Sequence, residues 1–71
     1  MNERFNARLY AQGAIMAISE LYPGEKDYYE TKQQAVTAVK KLMAFSGQAI
    51  GGEVIKLDST GHYKTVAQIY L

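Results

Sequence analysis

The 71-residue chain contains no cysteine and no tryptophan, a single proline and a single histidine. Without cysteine there can be no disulfide and no thiolate zinc site. His62 has no second histidine or cysteine with which to build a transition-metal site, and no cofactor is expected. No apolar run approaches the ~20 residues needed to span a bilayer. The opening segment MNERFNARLYAQG carries charges in its first eight residues and lacks the apolar stretch of a signal peptide. A cytoplasmic location with no membrane partner is therefore expected. Neither sign of charge dominates: 8 Lys and Arg stand against 7 Asp and Glu, net +1. That balance argues against nucleic-acid binding by bulk electrostatics. It also argues against a DNA-mimicking inhibitor, which should be strongly acidic.

What is present points to a globular fold. Hydrophobic residues make up 48% of the chain, too many for disorder. One domain, residues 1–71, is expected at this length. A chain this short buries only about 60% of its unfolded surface and is marginally stable. With no disulfide or metal to compensate, a homodimer is the expected support. The six tyrosines suit a half-buried sheet or a surface that meets a partner.

Residues 4–22 are rich in helix formers, yet their apolar pattern has period two. Phe5, Ala7, Leu9 and Ala11 alternate with Asn6, Arg8 and Tyr10. Folding back at Gln12-Gly13 pairs Ala11 with Ala14, Leu9 with Met16 and Ala7 with Ile18 on one face. The other face then pairs Tyr10 with Ile15, Arg8 with Ala17 and Asn6 with Ser19. This agreement favours a hairpin over the alternative, a helix with a poor amphipathic face. Pro23-Gly24 ends the unit, and residues 23–30 read as a polar loop.

Thr31-Lys32-Gln33-Gln34 fits a capping box opening a helix. Ala35, Val36, Ala38, Val39, Leu42, Met43 and Phe45 form its apolar half, Lys40 and Lys41 sit toward its C-terminus, and Gly47 is the expected residue past its end. Residues 48–52, with Gly51-Gly52, read as a connector. Residues 53–58 and 62–71 read as strands joined by Ser59-Thr60-Gly61, with Gly61 left-handed. That register sets Leu57 opposite Tyr63 and Ile55 opposite Thr65. Ile55, Leu57, Tyr63, Ala67 and Ile69 are then expected in the core, with Val54, Lys56, Lys64, Val66, Gln68 and Tyr70 on the other face. The fold class is α+β: a two-layer ββαββ domain with one helix on a four-stranded antiparallel sheet.

Tyr29-Glu30-Thr31-Lys32-Gln33-Gln34-Ala35 at the helix start, Gly52-Glu53-Val54-Ile55 and Thr60-Gly61 give residues 28–66 an order that resembles small bacterial and phage ββαββ domains of unknown function. The resemblance implies that fold and a setting in mobile elements. It carries over no functional residue.

Catalytic constellations are thin. Asp58, Ser59, Thr60 and His62 invite a Ser/His/Asp reading, but they are also the residues a hairpin loop needs, and neighbours in a turn seldom reach triad geometry. The glycines at 47, 51 and 52 lack the Lys-Ser/Thr of a phosphate loop. Glu20, Glu25, Asp27 and Glu30 lack metal-ligand spacing. An enzyme is not expected.

Binding is expected instead, because one helix covers one face of a four-stranded sheet. The other face is expected to carry Arg8, Tyr10, Ile15, Lys56, Lys64, Val66 and Tyr70, with Leu21 beside them. Two copies packed sheet to sheet would bury Ile15, Leu21, Val66 and Tyr70. Alternatively, single-stranded nucleic acid would stack on Tyr10 and Tyr70 and meet Arg8, Lys56 and Lys64 through its phosphates. The even charge favours a protein partner. The expected function is a non-enzymatic protein-binding module, a phage or mobile-element factor that modulates or inhibits a host complex.

Overall fold

The alternation of residues 5–11 builds the centre of the sheet. The computed structural model describes residues 4–11, 13–45, 47 and 49–70. Strand β1 (Phe5–Ala11) buries every odd residue and leaves every even one half-buried. It turns back into β2 (Ala14–Ala17) with Leu9 opposite Met16, Tyr10 opposite Ile15 and Arg8 opposite Ala17, the register read from the sequence. Gly13 has φ 77°, as a tight hairpin requires. Gln12 lies outside the described residues.

The hairpin is shorter than the sequence suggested. At Ile18 the chain leaves the sheet for a single helical turn, α1 (Ile18–Leu21), so Ala7 does not pair with Ile18, nor Asn6 with Ser19. Ile18 drops into the core instead. The vacated edge of β1 is taken by β3 (Tyr28–Tyr29), with Phe5 opposite Tyr29 and Asn6 opposite Tyr28. The loop between is pinned through Asp27. Its carboxylate accepts from the Ser19 amide and hydroxyl at 2.9 and 2.7 Å, and its carbonyl accepts from the Ala7 amide at 2.9 Å.

Helix α2 (Lys32–Phe45) begins where Thr31 Oγ1 accepts the Gln34 amide at 3.1 Å. Ala35, Val39, Leu42 and Met43 are its buried face. Phe45, expected among them, is 78% exposed at the helix end. Gly47 is not in the left-handed region, so it does not terminate the helix in the expected way.

Strand β4 (Ala49–Leu57) begins before Gly51-Gly52, which are buried strand residues and not a connector. It pairs with β1 and with β5 (Tyr63–Tyr70), giving the strand order β2-β1-β4-β5, with β3 as a short fifth strand on β1. All pairs are antiparallel. The β4–β5 turn has Gly61 at φ 87°, and Leu57 faces Tyr63 as expected.

A bulge then changes the faces of the sheet. The register steps between Val54↔Ala67 and Ile55↔Thr65, leaving Val66 as the extra residue. Straight strands would place Ile55 and Ala67 on one face. With the extra residue, Val54, Ala67 and Ile69 lie on the helix side, while Ile55, Leu57 and Tyr63 turn to the other face. The core holds Phe5, Ala7, Leu9, Ile18, Ala35, Val39, Leu42, Met43, Ala49 and Val54. The architecture is α+β, one long helix on an antiparallel sheet.

Candidate functional site

The face of the sheet away from α2 is organised in cross-strand rows. Tyr10 on β1, Gly51 on β4 and Tyr70 on β5 form one row, with Ile15 at its β2 end. A side chain at Gly51 would lie 3.3 Å from the Tyr10 ring and 3.4 Å from the Tyr70 ring. Its absence lets the two rings meet over the middle strand, with centroids 6.3 Å apart and planes at 21°.

The next row is Ala17, Arg8, Glu53 and Gln68. The Glu53 carboxylate is buried at the middle of this face. Arg8 Nη2 forms an ion pair with its Oε1, and the Tyr10 hydroxyl donates to its Oε2 at 2.9 Å. A buried carboxylate needs such partners, because desolvation alone would cost more than any packing gain. Burial first, then the hydrogen bond to Glu53, raise the Tyr10 hydroxyl above its ordinary pKa of 10.0. Asn6 Oδ1 and Arg8 Nε are buried without a hydrogen-bond partner.

Around this polar centre the face is apolar. Ile15, Tyr28, Leu57, Tyr63 and Tyr70 are exposed, and Ile55 is buried among the strands. Of the residues expected here, Arg8, Tyr10, Ile15 and Tyr70 do share the face. Lys56, Lys64 and Val66 do not. Lys56 sits opposite Phe5 with its ammonium 5.6 Å from that ring, on the helix side, and Lys64 pairs with Lys56. Val66 packs against the core from the bulge, and Leu21 packs there too, so the sheet-to-sheet dimer core of Ile15, Leu21, Val66 and Tyr70 is not assembled. Lys56 takes its side from Phe5 opposite it on β1 and Lys64 takes its side from Lys56, while Val66 is turned by the bulge.

The residues missed were Glu53, Leu57 and Tyr63. One signal could have found them: a basic residue on β1 needs an acid across the strand, and placing Glu53 beside Arg8 fixes the face of all β4.

The Asp58 cluster is a turn. Asp58 Oδ1 accepts from the Thr60 amide, the Thr60 hydroxyl and the His62 amide at 2.9, 2.7 and 2.9 Å. These bonds, the one to the Thr60 hydroxyl foremost, hold the Asp58 carboxyl below its ordinary pKa. Among the described residues no group of three His, Cys, Asp or Glu side chains could hold a metal ion, and no helix is long and apolar enough to cross a membrane.

The raised Tyr10 value has a consequence at alkaline pH. The fold favours the protonated phenol, so this contribution is fully present below pH 10.0 and is lost as pH rises through the folded value. Melting temperature should therefore fall more steeply above pH 10.0 for the parent than for Tyr10→Phe. Parallel curves would show that the hydroxyl titrates without linkage to folding.

No protein-family model matches the chain, and no curated protein and no solved structure matches it either.

Proposed function

We propose that this chain is a small non-enzymatic protein-binding module whose open sheet face receives a protein partner in the cytoplasm. The carrying observation is where the cations sit. Lys56 and Lys64 lie on the helix side and Arg8 is held by Glu53, while Ile15, Tyr28, Leu57, Tyr63 and Tyr70 stand exposed on the open face. A face of aromatic and aliphatic side chains around the internal Arg8–Glu53 ion pair suits a protein surface. A strand of nucleic acid would need free cations beside the stacking rings. Asn6 Oδ1 and Arg8 Nε, buried and unpartnered, add support, since unmet polar atoms of this kind call for a reason other than stability. The setting we assign, a phage or mobile-element factor modulating a host complex, rests on the resemblance of residues 28–66 to small phage and bacterial domains and on size.

The test is affinity capture from nuclease-treated host lysate with the parent and with Ile15→Asp and Leu57→Asp, whose side chains are half exposed on this face. One defined protein should be retained by the parent, lost by both face variants and kept by Lys40→Glu on the exposed side of α2. Capture insensitive to the face variants would remove the reading. So would salt-sensitive binding to a short oligonucleotide that loses about 1–3 kcal/mol when Tyr70 becomes alanine.

A further inference from the structure

Strand β5 closes the sheet on one side, and among the described residues no strand pairs beyond it. It is eight residues long, whereas the opposite edge is divided between the four residues of β2 and the two of β3. A long edge strand presents a row of unpaired amides and carbonyls, a template for another strand. The question is which strand it fits.

The bulge answers it. Within β5, Tyr63, Thr65, Gln68 and Tyr70 lie on the open face, while Lys64, Ala67 and Ile69 lie on the helix side with Val66 packed toward the core. In an antiparallel pair, residues directly opposite share a face. Two β5 strands related by a two-fold axis between Val66 and Ala67 oppose Tyr63 to Tyr70, Lys64 to Ile69, Thr65 to Gln68 and Val66 to Ala67. Every pair then shares a face. Moving the axis by half a residue, onto Val66 or Ala67, opposes open-face to helix-side residues. A strand without the bulge could not be self-complementary about this point.

The peptide groups agree. Asp58 N donates to His62 O at 2.8 Å, which makes that pair the hydrogen-bonded one. Alternation from there turns the amides and carbonyls of Tyr63 and Thr65 outward. Beyond the bulge, the Ile69 carbonyl points inward, toward Gly51, so the groups of Gln68 and Tyr70 point outward. The outward residues are thus the four that this axis pairs with one another. Thr65, Val66, Ala67 and Gln68 at the axis line a shallow, open surface. No like charges are opposed, since Lys64 meets Ile69.

We infer that two copies of this chain join edge to edge through β5, in the register Tyr63 to Tyr70 and Thr65 to Gln68, to form one continuous sheet. Lysine and bulges elsewhere blunt edges against pairing; here the bulge selects one pairing. The open faces of both copies stay on the same side, and Tyr63 of each extends the Tyr10–Tyr70 row of the other. The inference stands apart from the identity of any other partner.

The absence of cysteine makes the test direct. Thr65→Cys and Gln68→Cys chains are mixed and oxidised. Opposed residues of a hydrogen-bonded pair have Cα atoms about 5.5 Å apart, within disulfide reach. The mixture should give a cross-linked pair, and either variant alone should not. Gln68→Pro removes an outward amide from each copy at an edge position where proline is tolerated. It should weaken self-association by about tenfold or more in sedimentation equilibrium. If that variant unfolds, the cysteine mixture decides. A monomer mass across the concentration series overturns the inference. So does a dimer whose cross-links appear with either single variant, or one that Gln68→Pro leaves intact while folded.

Discussion

Gly52→Ala will destabilise the fold by about 3 kcal/mol, the upper end of the usual cost of overpacking a core. A Cβ at this position would lie 2.5 Å from Val39 Cγ1 and 2.7 Å from the Arg8 carbonyl oxygen. Neither neighbour can yield cheaply. Val39 is fully buried on α2, and the Arg8 oxygen belongs to the backbone of the central strand. The helix must lift or the β1–β4 pair must spread. For a domain of this size each kcal/mol lowers the melting temperature by roughly 4–8 °C, so the drop should be plain in a thermal melt. Gly47→Ala is the control, with nothing within 4 Å and no positive φ, and it should change little. Adding Val39→Ala to Gly52→Ala should cost less than the sum of the two, because one of the two clashes disappears. A parent-like melting temperature for Gly52→Ala would mean that the helix does not rest on this residue.

Leu42→Ala will cost about 2–5 kcal/mol, as for other buried leucine truncations. Leu42 sits in the core shared by α2, β1 and β4, and its carbonyl accepts the Tyr22 hydroxyl at 3.3 Å. The backbone bond survives the substitution, so the loss measures packing alone. In a fold with roughly 0.05–0.15 kcal/mol of stability per residue, a loss of this size unfolds a measurable share of molecules. Urea denaturation should show a lower midpoint at an unchanged slope. An unchanged midpoint would place Leu42 outside the core.

Where side-chain period and register reinforced each other, the sequence was readable. Residues 5–17 carry alternation on both arms of a hairpin, and the match of Leu9 with Met16 and of Tyr10 with Ile15 selects one register from many. Thr31 and the buried stripe of α2 were equally plain. The face of β4 was not, because Ile55 and Leu57 look like core residues while the pairing with β1 puts Val54 and Lys56 on the helix side. Nor was the bulge in β5, since Val66 is an ordinary strand residue and only the β4 partner reveals that it is extra. Glycine was misleading for a related reason. Gly51-Gly52 looks like a linker, but the first makes room for two tyrosine rings and the second for a helix, and both demands come from distant parts of the chain. The candidate site was split accordingly. Arg8, Tyr10 and Ile15 are legible from the hairpin, while the sides of Lys56 on β4 and of Lys64 and Val66 on β5 depend on cross-strand pairings that the residues do not announce.

The place of β1 between β2 and β4 also governs how quickly this chain reaches its native state. Arg8 and Glu53 are 45 positions apart in the sequence, yet their strands are the two inner members of the sheet. The entropy of closing so long a loop is spent before the inner pair rewards it. The hairpins on either side are local, but each alone is a two-stranded ribbon with little independent stability. Folding therefore waits on one encounter between the two ends of the chain, with α2 carried along as the covering layer. The molecule belongs with slower, non-local folders in spite of its small size, and not with helical bundles of the same length.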